Sequence, residues 1–165
     1  MRELGRGAHE SSRIYFTGGT TALLLGWRDS TSDIDIKLDP ERDELFRLIA
    51  TLKDKLDTNV ELASPPDFIP EVPGWRERSI FIDREGKLDF YHFDPYSQAL
   101  SKIERGHDMD LVDVESMFRE GLVEGPKLAA LFDAIEPNFY RYPAIDPKKF
   151  RRSLEIVLEK QKRAE

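Results

Sequence analysis

The chain has 165 residues, a formal net charge of −7 and 39% hydrophobic residues, enough apolar material for a buried core and too much for a disordered chain. Zero cysteines exclude a disulfide scaffold, thiol catalysis, thiolate zinc sites and iron–sulfur clusters, and three scattered histidines (His9, His92, His107) exclude a histidine-rich metal centre. The acidic balance argues against indiscriminate nucleic-acid binding. No run approaches the roughly 18 apolar residues of a membrane span and residues 1–5 lack a secretory stretch, so a cytoplasmic domain without membrane contact is expected.

Residues 1–12 carry no strong period and read as a frayed start or the stub of a helix. Residues 13–17 are β-rich and end at Gly18-Gly19, a strand followed by a turn. A short helical run over 20–25 closes at Gly26. After a polar loop, residues 33–38 alternate polar and apolar with the period of a half-buried strand. Asp39-Pro40-Glu41-Arg42 has helix-start chemistry, with Leu45, Phe46, Ile49, Leu52 and Leu56 at helical spacing behind it. Residues 59–62 read as a strand, and a segment punctuated by Pro65, Pro66, Pro70 and Pro73 as the loop hardest to order. Residues 79–82 and 88–93 flank Arg84-Glu85-Gly86-Lys87, a hairpin signal. From Asp94 onward the pattern is helical, with helices expected over 95–105, 111–120, 127–135 and 147–162. The expected class is α+β: one domain over 1–165, with a mixed-sheet core over 13–93 and a helical part over 94–165.

Three features point to chemistry. A strand ending in Gly18-Gly19-Thr20 that runs straight into a helix offers backbone amides to an anion, although a glycine pair also serves a plain turn. Asp33 and Asp35 alternate with Ile34 and Ile36, so both carboxylates fall on one sheet face. Like charges side by side repel unless a cation sits between them, and Mg²⁺ prefers such hard oxygen ligands together with substrate phosphates; the plain alternative is a solvated strand edge. Asp89, between Leu88 and Phe90, is a charge inside an apolar strand: a structural acid, an edge charge, or the third member of a three-carboxylate site.

Gly18-Gly19, thirteen further residues, Asp33-Ile34-Asp35-Ile36 and then Leu88-Asp89-Phe90 resemble the signature of the DNA polymerase β-like nucleotidyltransferase superfamily. The stretch 99–113, with Lys102, Arg105, His107, Asp110 and Asp113, is similar to the segment after the third acid in bacterial minimal nucleotidyltransferases, including toxins of AbiE-type toxin–antitoxin systems. The resemblance covers about residues 13–120. It implies a mixed sheet packed with helices and an NTP held with Mg²⁺, two ions being expected. Gly18, Gly19, Thr20 and Ser32 would contact the triphosphate, with Lys102 on the phosphates and Asp110 orienting it. Asp33, Asp35 and Asp89 would hold metal, Asp89 also being the candidate general base. Arg28 and Ser30 are further candidates in the loop before Asp33.

The implied reaction moves an NMP from the NTP to an acceptor hydroxyl on tRNA, a protein or a small molecule, with an antitoxin protein as a further partner. The alternatives are a non-catalytic nucleotide-binding or protein-interaction module that keeps the fold, and a purely structural acidic domain. The segment ahead of Arg13 is shorter than the helix expected there, as if the start were trimmed. Lys148, Lys149, Arg151 and Arg152 make a basic start to the last helix, against the dipole, and hint at an acidic partner.

Overall fold

A computed structural model describes residues 1–164. In chain order the elements are α1 (Arg2–Gly7), β1 (Ser12–Thr17), α2 (Gly18–Leu25), β2 (Asp33–Asp39), α3 (Asp43–Leu56), β3 (Asn59–Glu61), α4 (Trp75–Arg78), β4 (Ile80–Glu85), β5 (Leu88–His92), α5 (Pro95–Arg105), α6 (Asp108–Arg119), α7 (Gly125–Ile135) and α8 (Pro147–Ala164). The α+β expectation holds. The described residues divide into two compact units, one made of Met1–Ser64 and Ser79–Phe93, the other of Pro65–Arg78 and the chain from Asp94 onward.

The first unit is built on a five-stranded sheet of order β3-β2-β1-β5-β4. The pair β1/β2 is antiparallel, β1/β5 and β2/β3 are parallel, and β4/β5 is antiparallel. Strand alternation sorts the side chains into two faces. Ile14, Phe16, Ile36, Leu38, Leu88 and Phe90 face the core, where Leu45 and Ile49 of α3 meet them. The opposite face carries Arg13, Tyr15 and Thr17 of β1 beside Asp39, Lys37 and Asp35 of β2, and Asp89 and Tyr91 of β5. The helix expected from Asp39 starts instead at Asp43, because β2 continues to Asp39 in register with Arg13. The hairpin forms as expected, turning at Gly86-Lys87.

The second unit is helical. The proline-punctuated segment, read as the loop hardest to order, is instead part of its core. Ile69, Val72 and Trp75 are at most 1% exposed, and the Tyr142 hydroxyl donates to the Pro66 carbonyl at 2.9 Å. Prolines have little backbone freedom to lose, so apolar residues set between them order cheaply. Asp94 caps α5, accepting from the Tyr96 and Ser97 amides, and Arg78 closes on both its oxygens at 3.0 and 2.7 Å. Phe132, Phe139 and Phe150 pack ring on ring with centroids 4.8 to 5.5 Å apart. The basic start of α8 is partly answered within the unit: Arg151 pairs with Asp133 and Glu136. No described helix is long and apolar enough to cross a membrane.

Candidate functional site

The glycine turn, the end of β1 and the start of β2 converge in the sheet unit. Strand β1 ends at Thr17, and α2 begins at once with Gly18, whose φ is +60°. That left-handed backbone is the province of glycine, and space imposes a second demand. A Cβ on Gly18 would lie 2.7 Å from the Asp35 Oδ2, and one on Gly19 would run into Thr31 Oγ1 and stand 3.3 Å from Arg28 Nη1. The two glycines therefore let a carboxylate and a guanidinium close directly onto the turn. Arg28, a subsidiary candidate from sequence, is thereby placed beside Gly19.

Asp35 is in register with Thr17, and Asp33 lies one alternation further along the same face. The Asp33 carboxylate accepts from Asn59 Nδ2 at 2.7 Å and from Ser32 Oγ at 2.9 Å, and these bonds hold it below its ordinary range. Ser32 is thus a partner of Asp33. The Thr20 hydroxyl turns to the Asp33 carbonyl at 3.4 Å, tying α2 to β2.

The register corrects the expected triad at its third member. Asp89 is opposite Arg13, whereas Asp35 is opposite Thr17. Four residues of β1 separate the two rows, about 13 Å at the usual strand rise. Asp89 shares the face of Asp35 but sits at the far end of the sheet, where Arg84 grips both its oxygens and lowers its pKa. It lines a separate surface pocket of about 570 Å³ with Arg13, Asp39 and Lys87. Among the described residues no group of three His, Asp or Glu side chains is placed to hold a metal ion.

The acid that the sheet does set beside Asp35 is Glu61 on β3, its register partner. Asn59 Nδ2 donates both to Asp33 Oδ1 and, at 2.9 Å, to Glu61 Oε1, so one amide links the two acids. Sequence reasoning passed over Glu61. The available signal was the same polar–apolar–polar alternation, Asn59-Val60-Glu61, that marks Asp33-Ile34-Asp35.

In the helical unit Lys102 is 5% exposed. Its Nζ donates to Asp113 Oδ2 at 2.6 Å and to Asp110 Oδ1 at 3.4 Å. Burial would raise the Asp110 pKa, yet the bonds from Arg105 and the nearby Lys102 charge bring it below the ordinary value. Asp110 does hold the lysine, and Asp113, to which the sequence assigned no role, is the nearer partner. These are the surroundings of a buried ion-pair network. His107 occupies the N-cap position of α6 and is exposed.

A magnesium ion fits the donor set at the glycine turn. Two carboxylates on one face and a cradle that a Cβ would fill match an ion that typically takes one or two carboxylates and completes its shell with phosphate oxygens and water. The same test fails for a site that includes Asp89. Among known proteins, the family model described as "Nucleotidyltransferase of unknown function (DUF6036)" matches residues 1–163. No curated protein and no solved structure matches the chain.

Proposed function

Taking as premise that the chain belongs to this family of nucleotidyltransferases, we propose that it transfers an NMP from a magnesium-bound NTP to an acceptor hydroxyl. The observation that carries the proposal is the Asp35 carboxylate closed onto the Gly18 turn, with Asp33 on the same face. Asp33 and Asp35 would hold the metal, which when bound supplies positive charge for the triphosphate. The amides of Gly18 and Gly19 contact the phosphates at the start of α2, and Arg28 supplies a fixed cation beside Gly19. The acceptor oxygen bonds to the α-phosphorus as the bond from that phosphorus to the bridging oxygen breaks. Pyrophosphate leaves with the electron pair, and the acceptor proton passes to a carboxylate; Glu61 takes that role.

The displacement of Asp89 gives weight to one rival, a domain that binds nucleotide without transferring it. The test is incubation with each α-labelled NTP, Mg²⁺ and total RNA or lysate, comparing wild type with Asp35→Ala and Glu61→Gln. Label transfer that disappears in Asp35→Ala and falls at least tenfold in Glu61→Gln supports the proposal. Nucleotide binding without transfer selects the rival. The toxin reading is a finer proposal resting on the stretch 99–113; it predicts that expression slows bacterial growth and that Asp35→Ala abolishes the effect.

A further inference from the structure

One buried titratable group in the sheet unit has no part in the reaction above. His92, on β5 in register with Phe16, is 5% exposed, and its Nδ1 lies 3.4 Å from Thr21 Oγ1. The Thr21 hydroxyl, equally buried, donates to the Phe16 carbonyl at 3.1 Å, and the same carbonyl accepts the Phe93 amide at 2.8 Å. A hydroxyl has one proton to give. With that proton turned to Phe16, the Thr21 oxygen accepts from the imidazole when its hydrogen sits on Nδ1. The result is a directed relay from His92 through Thr21 to the Phe16 carbonyl.

The relay straddles the glycine turn: Phe16 is two residues before Gly18, and Thr21 two after Gly19. Two threonine hydroxyls tie helix α2 to the sheet. Its buried residues are Thr20, Thr21 and Ala22, it has no side-chain N-cap bond, and Leu23, Leu24 and Leu25 are exposed. Thr20 ties the helix to β2 and Thr21 ties it to β1, and His92 braces the second of these hydroxyls. We propose that His92 is a positioning residue which, through Thr21, holds the Gly18 and Gly19 amides in place for the triphosphate and so sets nucleotide affinity. The inference rests on the nucleotide site proposed above. Its physical basis is preorganisation: an anion cradle of backbone amides works when its donors are held to about 0.5 Å before the ligand arrives.

The test uses the full chain and the Mg²⁺ complexes of ATP, GTP, CTP and UTP, titrated calorimetrically. Thr21→Val keeps volume, His92→Phe keeps a planar ring, and both remove the relay; Thr21→Ser and His92→Asn keep a hydroxyl and a donor. The expected result is at least tenfold weaker binding of the preferred nucleotide in the first pair and a change within threefold in the second. Hydrogen exchange at the intrahelical amides of α2 from Ala22 to Leu25 should quicken in the first pair while that of β2 stays slow. Wild-type-like affinity in Thr21→Val and His92→Phe overturns the inference and leaves the nucleotide site standing. Equal loss in all four variants, with melting temperature falling in parallel, also overturns it by showing a packing role. A wild-type chain that binds none of the four nucleotides overturns the site and the inference together.

Discussion

Gly18→Ala and Gly26→Ala form a matched pair that separates backbone strain from the geometry of the site. Both glycines are left-handed, at φ +60° and +91°, but a Cβ at Gly26 meets nothing within 4 Å, whereas one at Gly18 lies 2.7 Å from Asp35 Oδ2. The shared left-handed penalty is about 1–2 kcal/mol. At about 2–4 °C per kcal/mol for a chain of this size, Gly26→Ala should melt roughly 2–8 °C below wild type. Gly18→Ala adds a contact that the carboxylate relieves by turning about its terminal torsion, which is soft, since Asp35 Cγ itself stays 3.7 Å away.

The added loss of stability is therefore below about 1 kcal/mol. The functional loss is larger, because a turned carboxylate no longer presents the oxygen that the site uses and magnesium tolerates little departure from its preferred distances. Affinity for the magnesium–nucleotide complex should fall at least about tenfold, equivalent to about 1.4 kcal/mol. Thermal melting and calorimetric titration of both variants make the comparison, and Gly26→Ala should bind like wild type. Undiminished magnesium–nucleotide binding by Gly18→Ala, alongside the expected melting of Gly26→Ala, would refute the placement of Asp35 in the site.

Asp89→Asn should leave magnesium–nucleotide affinity within about twofold and change stability by less than about 1 kcal/mol, since it breaks only an outlying pair with Arg84; titration beside Asp35→Ala decides. Asp113→Ala takes from the buried Lys102 ammonium its nearer partner and leaves only Asp110 at 3.4 Å, so it should cost up to about 3 kcal/mol, whereas Lys102→Met combined with Asp113→Leu should recover most of it, read by denaturant unfolding. His92 is held by burial below its ordinary value of 6.5. As pH falls below about 6.5 the unfolded chain takes up a proton that the folded chain resists, so stability drops in that window. The carboxyls of Asp33 and Asp89, lowered from 3.8, give up their contribution only in more acid solution, as pH falls below about 4. Melting temperature measured from pH 7 to 5 should fall in wild type, and His92→Phe should lack that component.

Much of this molecule was legible residue by residue. Alternation alone puts Asp33 and Asp35 on one face with Ile34 and Ile36 on the other, because the pleat has period two wherever the strand goes. Gly18-Gly19 after a β-rich run, the hairpin at Gly86-Lys87 and the helices after Asp94 are equally local. Even for Asp89 the face follows from parity. Its distance from Asp35 does not, since that depends on how β5 slides against β1, and a slip of four residues keeps every side chain on its face while carrying the carboxylate about 13 Å away. Only the assembled sheet decided that Glu61, on β3 beyond the α3 crossover, stands beside Asp35. Only the packing of α5 with α6 decided that Lys102 is spent on Asp113. A strand or helix carries its own period in its sequence, but register and pairing are settled by surfaces that meet across long stretches of chain.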